Sequence, residues 1–192
     1  NLGKLMSASG VKYKPVKPIL HSSRVKGTPE HKSVSVLIPT LDRYSYLFSE
    51  LEQLVKQELP ALEVLITDQT EETRRVPVEA GKYPGLNIRY FPQNEKGQCM
   101  AWNKLLEEAK GEFVLFLGDD ADDIAPDFIK RLLFTQAKFN ADIVAARVIE
   151  NGVHYGEPNE HYYMSDTLPI ALVRKSLLDD AGYFDMFFNR NI

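Results

Sequence analysis

A chain of 192 residues, 44% hydrophobic and 26% charged, has the composition of a soluble globular protein and enough length to bury a full core. Its one cysteine, Cys99, excludes an internal disulfide framework and suits a reducing compartment; no apolar run approaches the roughly 20 residues a membrane helix needs. The net charge of −4 is unevenly spread. Residues 1–32 are rich in Lys and Arg with Glu30 as their one acid, and read as a basic extension or linker. A nucleic-acid arm would carry more aromatic residues than Tyr13.

Regular alternation starts at Ser33. Ser33 to Pro39 is a β-branched run closed by proline, which predicts a strand. Leu47, Leu51, Leu54 and Val55 then fall on one helical face. Leu62 to Thr67 and Asn87 to Phe91 are two further strands. Trp102, Leu105, Leu106 and Ala109 restore helical spacing, with Gly111 as a stop. Phe113 to Leu117 is apolar on both sides, as a central parallel strand requires. Pro126 opens a helix carrying Ile129, Leu132 and Leu133, and Asp142 to Val148 is a last strand. The order predicts an α/β fold, a mostly parallel central sheet flanked by helices, Rossmann-like. Ligands of such sheets bind beyond the carboxyl ends of the strands. Polar groups follow three of them: Thr40, Asp42 and Arg43; Asp68; and Asp119, Asp120, Asp122 and Asp123.

Four aspartates at the mouth of a buried strand repel one another and are costly to desolvate. Capping the next helix accounts for one of them. An EF-hand is excluded, because counting from Asp119 the third, sixth and twelfth positions are Ala121, Ile124 and Lys130. A hard divalent cation shared with substrate phosphates fits better. Asp120 and Asp122 alternate along an extended segment, which puts both carboxylates on one side of it.

Four stretches occur in an order that resembles a known family: VSVLIPTLDR (34–43), LEVLITDQT (62–70), NEKGQCMAWNKLLEEAKGEFVLFLGDD (94–120) and LVRKSLLDDAGYFD (172–185). Together they resemble the catalytic domain of family 2 glycosyltransferases, which has the GT-A fold of nucleotide-diphospho-sugar transferases, over about residues 33–192. The resemblance implies inverting, metal-assisted transfer from a nucleotide-sugar donor, a UDP-sugar, to a hydroxyl of a glycan, lipid or small acceptor. It implies Mn²⁺ or Mg²⁺ at Asp120 and Asp122, and Asp68 on the uracil. Pro39, Thr40, Asp42, Arg43, Lys96, Gly97, Asn103 and Asp119 would surround the rest of the donor; for Asn103, tying loops together is an equal reading.

Three departures stand out. Asp42 replaces a commoner Asn, Gly118 follows the strand's last leucine, and Ala121 sits where the family's metal-binding aspartate usually falls, leaving Asp120 or Asp122 for the ion. The catalytic carboxylate is expected beyond Ile192, so the chain, which starts with Asn, is expected to be a truncated domain whose base is unidentified. The alternative is a non-catalytic nucleotide-sugar or glycan-binding module. A pyrophosphorylase would need a Gly-rich basic loop after the first strand, and PTLDRYS is not one. No nucleic-acid partner is expected; the location expected is cytoplasmic, peripheral to a membrane only through parts outside this chain. His21, His154 and His161 lack ligand spacing, and Cys99 reads as a packed small residue. Tyr155, Tyr162 and Tyr163 read either as an acceptor platform or as packing.

Overall fold

Seven residues from Val34 to Thr40 form β1, and every position but Pro39 is buried. A run so apolar and β-branched is stable only with both faces covered. The computed structural model describes residues 32–59, 62–146, 148–150, 153–155 and 170–186. Residues 1–31 of the basic extension (1–32), among them His21, lie outside them, as do His161, Tyr162 and Tyr163.

Helix α1 (Tyr44–Leu54) leads to β2 (Leu62–Asp68), and two short 3₁₀ turns precede β3 (Leu86–Pro92). Helix α2 (Gln98–Glu108) returns to β4 (Phe113–Phe116). Helix α3 (Phe128–Phe139) is followed by β5 (Ile143–Ala145) and the hairpin strands β6 (Val148–Glu150) and β7 (Val153–Tyr155). Last come β8 (Ala171–Arg174) and α4 (Lys175–Ala181). The main sheet has the order β3-β2-β1-β4-β8-β5. Pairings β3-β2, β2-β1 and β1-β4 are parallel, while β8 runs against both of its neighbours. The expected mostly parallel α/β sheet is therefore present.

The sheet divides two apolar layers. Val36 and Ile38 of β1 and Leu115 of β4 pack with Leu47, Leu51 and Leu54 of α1 and Ile129 and Leu133 of α3. Leu37 and Val114 point the other way, onto Leu105 and Leu106 of α2, with Leu177 and Leu178 of α4 beside them. This alternation is the period-two geometry of strands, and each fully buried leucine contributes about 1.5–3 kcal/mol.

Three boundaries differ from expectation. Helix α2 ends at Glu108, and Ala109 is already extended, so Gly111 is not its stop. Instead, Gly111 passes so close to β1 that a Cβ there would meet the Ser35 nitrogen at 2.6 Å. Pro126 precedes rather than opens α3, because a turn donates the Phe128 N–H to the Ala125 carbonyl at 2.9 Å. The predicted strand from Asp142 to Val148 is split, its first part joining β8 and its second starting the hairpin.

Candidate functional site

Sequence neighbours β1 and β2 lie side by side, whereas β4 sits on the other flank of β1. The connection after β1 leads to β2 on one flank, while β4 is reached on the other flank from β3 by way of α2. The strand order therefore reverses at β1, and a crevice opens at its carboxyl end. A cleft of about 280 Å³ occupies this position. One wall is the end of β1 with Pro39, Thr40 and Arg43; a second is Gly118, Asp119 and Asp120 after β4; a third is Lys96 and Gly97 with the first turns of α2. Seven of the expected residues (Pro39, Thr40, Arg43, Lys96, Gly97, Asp119 and Asp120) thus line one cavity.

The acidic wall is held by a cation of the chain itself. Arg43 pairs with Asp119 at 3.1 Å and with Asp120 at 2.8 Å. The hydroxyl of Thr40 donates to the second oxygen of Asp119 at 2.8 Å. The hydrogen bond to Asp120 holds the Arg43 guanidinium above its usual value. Burial pushes the Asp119 carboxyl up, and Thr40 and Arg43 offset this only in part. Asp119 is buried, but the Asp120 side chain is 58% exposed at the rim. The turn that aims them needs Gly118, whose φ of +89° is a left-handed conformation that side-chain-bearing residues rarely adopt.

The other expected residues sit elsewhere. Asp122 turns out of the cleft, accepting from Gln53 of α1 at 3.0 Å and from the Asp123 amide at 2.8 Å. Asp120 is paired with Arg43 while Asp122 is held by Gln53 and the Asp123 amide, so the two carboxylates have different partners. Among the described residues, no three His, Cys, Asp or Glu side chains converge as a metal cage. Asp42 lies on the adjoining loop, its amide donating to Thr70 at 2.8 Å and its carboxylate pairing with Arg74 at 2.9 Å.

Asp68 is fully buried at the end of β2. The Thr70 amide donates to one oxygen at 2.8 Å; the hydroxyls of Tyr44, at 2.6 Å, and Tyr90 donate to the other. Burial alone would raise this carboxyl, yet the three donors together hold it below its ordinary value. Asn103 is outside the cleft wall as well. Its carboxamide donates to the Phe184 carbonyl and accepts from the Phe184 amide, both at 2.8 Å, so of its two expected roles the structure shows the tie.

Two residues escaped the sequence reading. Gln69 clamps Gly97, donating to its carbonyl at 3.0 Å and accepting from its amide at 3.1 Å, and so holds the entry to α2 against β2. Glu50 is fully buried on α1, and neither of its oxygens has a partner in hydrogen-bonding geometry. Burial, then the charges of Asp119 and Asp120, push its carboxyl well above the ordinary range, against a smaller pull from the Ala121 amide. A signal was there to be read: Glu50 falls three residues after Leu47 and four before Leu54, inside the apolar stripe.

A family model described as "Glycosyl transferase family 2" matches residues 35–191. The chain belongs to that family. It is 28% identical over 148 residues to the putative glycosyltransferase EpsH of Bacillus subtilis, covering 69% of this chain and 42% of EpsH. Residues 1–349 of TarS from S. aureus superpose with a TM-score of 0.70 at 23% identity, covering 82% of this chain and 52% of that one. The same protein in complex with UDP-GlcNAc gives 0.63 at 27% identity, with 80% and 48% covered. The mannosyltransferase PcManGT of Pyrobaculum calidifontis, in complex with GDP-Man and Mn²⁺, gives 0.66 at 19% identity, with 96% and 54% covered. The lower identities establish the GT-A fold alone. This family 2 chain spans about half the length of the proteins it matches.

Proposed function

We propose that this family 2 domain transfers a sugar from a nucleotide-diphosphate donor, a UDP-sugar, to a hydroxyl acceptor with inversion at the anomeric carbon. The observation that carries the reading is Arg43 spanning Asp119 and Asp120 inside a cleft that also offers Lys96 and the start of α2. Such a site has groups for both a cation and a diphosphate. TarS bound to UDP-GlcNAc and PcManGT bound to GDP-Man and Mn²⁺ are similar chains whose ligands have this chemistry.

The donor set suits a shared divalent ion rather than an all-protein cage. Mg²⁺-type sites use one or two carboxylates and complete their shell with phosphates and water. Asp120 at the rim would be the ligand, with the buried Asp119 behind it; Asp122 would need to turn away from Gln53 to join. The ion's contribution when bound is Lewis-acid neutralisation of charge on the leaving diphosphate. Arg43, relieved of Asp120, would turn its guanidinium to a phosphate oxygen, and Lys96 would face the same group. Asp68 serves the base side: a uracil imide reaches it only if Tyr44 or Tyr90 yields its place. In the transfer step the acceptor oxygen bonds the anomeric carbon from the face opposite the diphosphate. The acceptor proton passes to a base, and the electron pair of the breaking bond leaves with the nucleotide.

Titration calorimetry of UDP with Mn²⁺, and again with chelator, tests the reading. We expect much tighter binding with Mn²⁺, and Asp120→Asn should lose most of that increment with an unchanged far-UV spectrum. Equal affinity with and without metal would remove the ion from the proposal, and no UDP binding at all would defeat the donor reading.

A further inference from the structure

Helix α2 carries two adjacent side chains that face different tasks. Trp102 lines the cleft. Asn103, the next residue, reaches a segment 81 positions later and pairs with both backbone groups of Phe184. The pairing copies one rung of a β-ladder, a donor and an acceptor exchanged with a single residue. Its amide nitrogen also approaches the Met186 sulfur at 3.6 Å. Such double pairing fixes both the position and the rotation of the peptide it holds.

Burial does not account for this placement. Phe184 is 40% exposed and Met186 44%, whereas Tyr183 before them packs beside the α2 layer and donates its hydroxyl to Asp179 at 2.9 Å. Phe184 itself is held by the Asn103 pair and by a chain of rings. Phe184 meets Phe116 edge-on, with centroids 5.9 Å apart and planes at 89°. Phe116 in turn meets Trp102 at 5.1 Å and 65°. Such contacts are worth about 0.5–1.5 kcal/mol each and constrain ring orientation. The path from the Phe184 backbone to the cleft wall is therefore closed in two ways, through Asn103 to α2 and through Phe116 to Trp102.

We propose that Asn103 is a positioning residue for sugar transfer, registering the turn from Gly182 to Met186 against the Trp102 wall of the donor cleft. This rests on the donor reading above and deepens it. The cleft binds donor with its own residues. The Asn103–Phe184 pair sets where the neighbouring turn stands relative to that donor. A displacement on the order of 1 Å in such a register can cost about a hundredfold in rate. Loss of the pair should therefore fall on turnover rather than on nucleotide affinity.

Trp102 is the only tryptophan of the chain, so its emission reports this wall directly. The test compares the full chain with Asn103→Ala, Asn103→Asp and Phe184→Leu, using UDP with Mn²⁺ as the binding probe. Hydrolysis of UDP-GlcNAc by water is the turnover probe. In Asn103→Ala we expect faster hydrogen exchange at the Phe184 amide and a red shift of Trp102 emission. UDP affinity should stay within about twofold, and kcat for hydrolysis should fall by about tenfold or more. Asn103→Asp keeps the acceptor for the Phe184 amide and should recover part of kcat. Phe184→Leu keeps the backbone pair but breaks the ring chain, and should shift the emission with a smaller loss of turnover.

Faster exchange with unchanged kcat and emission would make the pair a staple only and overturn the proposal. Affinity lost in step with kcat would also overturn it, by moving Asn103 into donor binding. A wild-type chain that neither binds UDP nor hydrolyses UDP-GlcNAc would defeat the donor reading instead. Trp102 emission would then still decide whether the pair holds the wall, no shift in Asn103→Ala counting against it.

Discussion

Two buried carboxyl groups near the cleft, Glu50 and Asp68, have opposite surroundings. Asp68 has three donors that outweigh its burial, while Glu50 has no hydrogen-bond partner and two acidic neighbours. The signs of their pH linkage follow. Glu50 has a folded-state value raised above its ordinary one, so its contribution to stability is complete in acid below the ordinary carboxylate range. That contribution drains away as pH climbs through the raised value. Glutamine is neutral throughout and does not lose it. Glu50→Gln should therefore melt close to wild type at about pH 4 and increasingly above it toward about pH 8. Asp68→Asn is the counterpart: destabilised at neutral pH by loss of charge-assisted bonds worth about 1.5–3 kcal/mol each. Its gap to wild type should narrow as pH falls through the depressed Asp68 value. Thermal melts of Glu50→Gln across this range, and of Asp68→Asn carried on into acid below the ordinary carboxylate range, check the pair, and parallel profiles would show that the two surroundings are misread.

Connections decide the site as much as strands do. Gly118 lets the chain turn at the end of β4 with a φ of +89°, and a Cβ there would find only an Asp120 oxygen at 3.5 Å. Space is available, so Gly118→Ala should cost only the left-handed conformation, about 1–2 kcal/mol. Because the turn aims Asp119 and Asp120, the same change should weaken UDP binding with Mn²⁺. Gly111 is the opposite case. Its Cβ would press on the Ser35 nitrogen at 2.6 Å and the Phe113 carbonyl oxygen at 2.7 Å, both backbone atoms, which cannot swing aside. Gly111→Ala should cost about 3 kcal/mol or more and leave UDP affinity of the folded fraction intact. Urea unfolding with calorimetry separates the two, and equal stability losses would contradict this distinction. Both glycines were visible in the sequence, Gly111 as a helix stop and Gly118 as a departure from the family pattern. Their actual demands were not, because the approach of residue 111 to Ser35 depends on β1 lying beside β4.

At the scale of the molecule, periodicity made the sheet legible because each central strand is apolar on both faces and each helix on one. The motif order did the same for the crevice, since residues ending β1 and β4 converge wherever those strands are neighbours. Partners chosen by side chains across long separations were not legible. Asp122 goes to Gln53 and Asn103 to Phe184, 69 and 81 positions away, and no local pattern announces either. Topology also keeps stability and site apart. Leu115 is fully buried in β4, which lies between β1 and β8, and packs against the layer under α1 and α3. The cleft begins three residues later, at Gly118, beyond the end of the strand. Truncating a core leucine to alanine costs about 2–5 kcal/mol, a large part of the roughly 5–15 kcal/mol that holds a domain folded. Leu115→Ala should therefore shift the urea midpoint strongly, while UDP and Mn²⁺ bind the remaining folded molecules with wild-type affinity. Saturating UDP should also recover part of the lost midpoint, since a ligand at one hundred times its Kd adds about 2.7 kcal/mol. An affinity that falls in proportion to stability would mean that the sheet core and the cleft yield together, and that strand ends rather than the loops beyond them hold the donor.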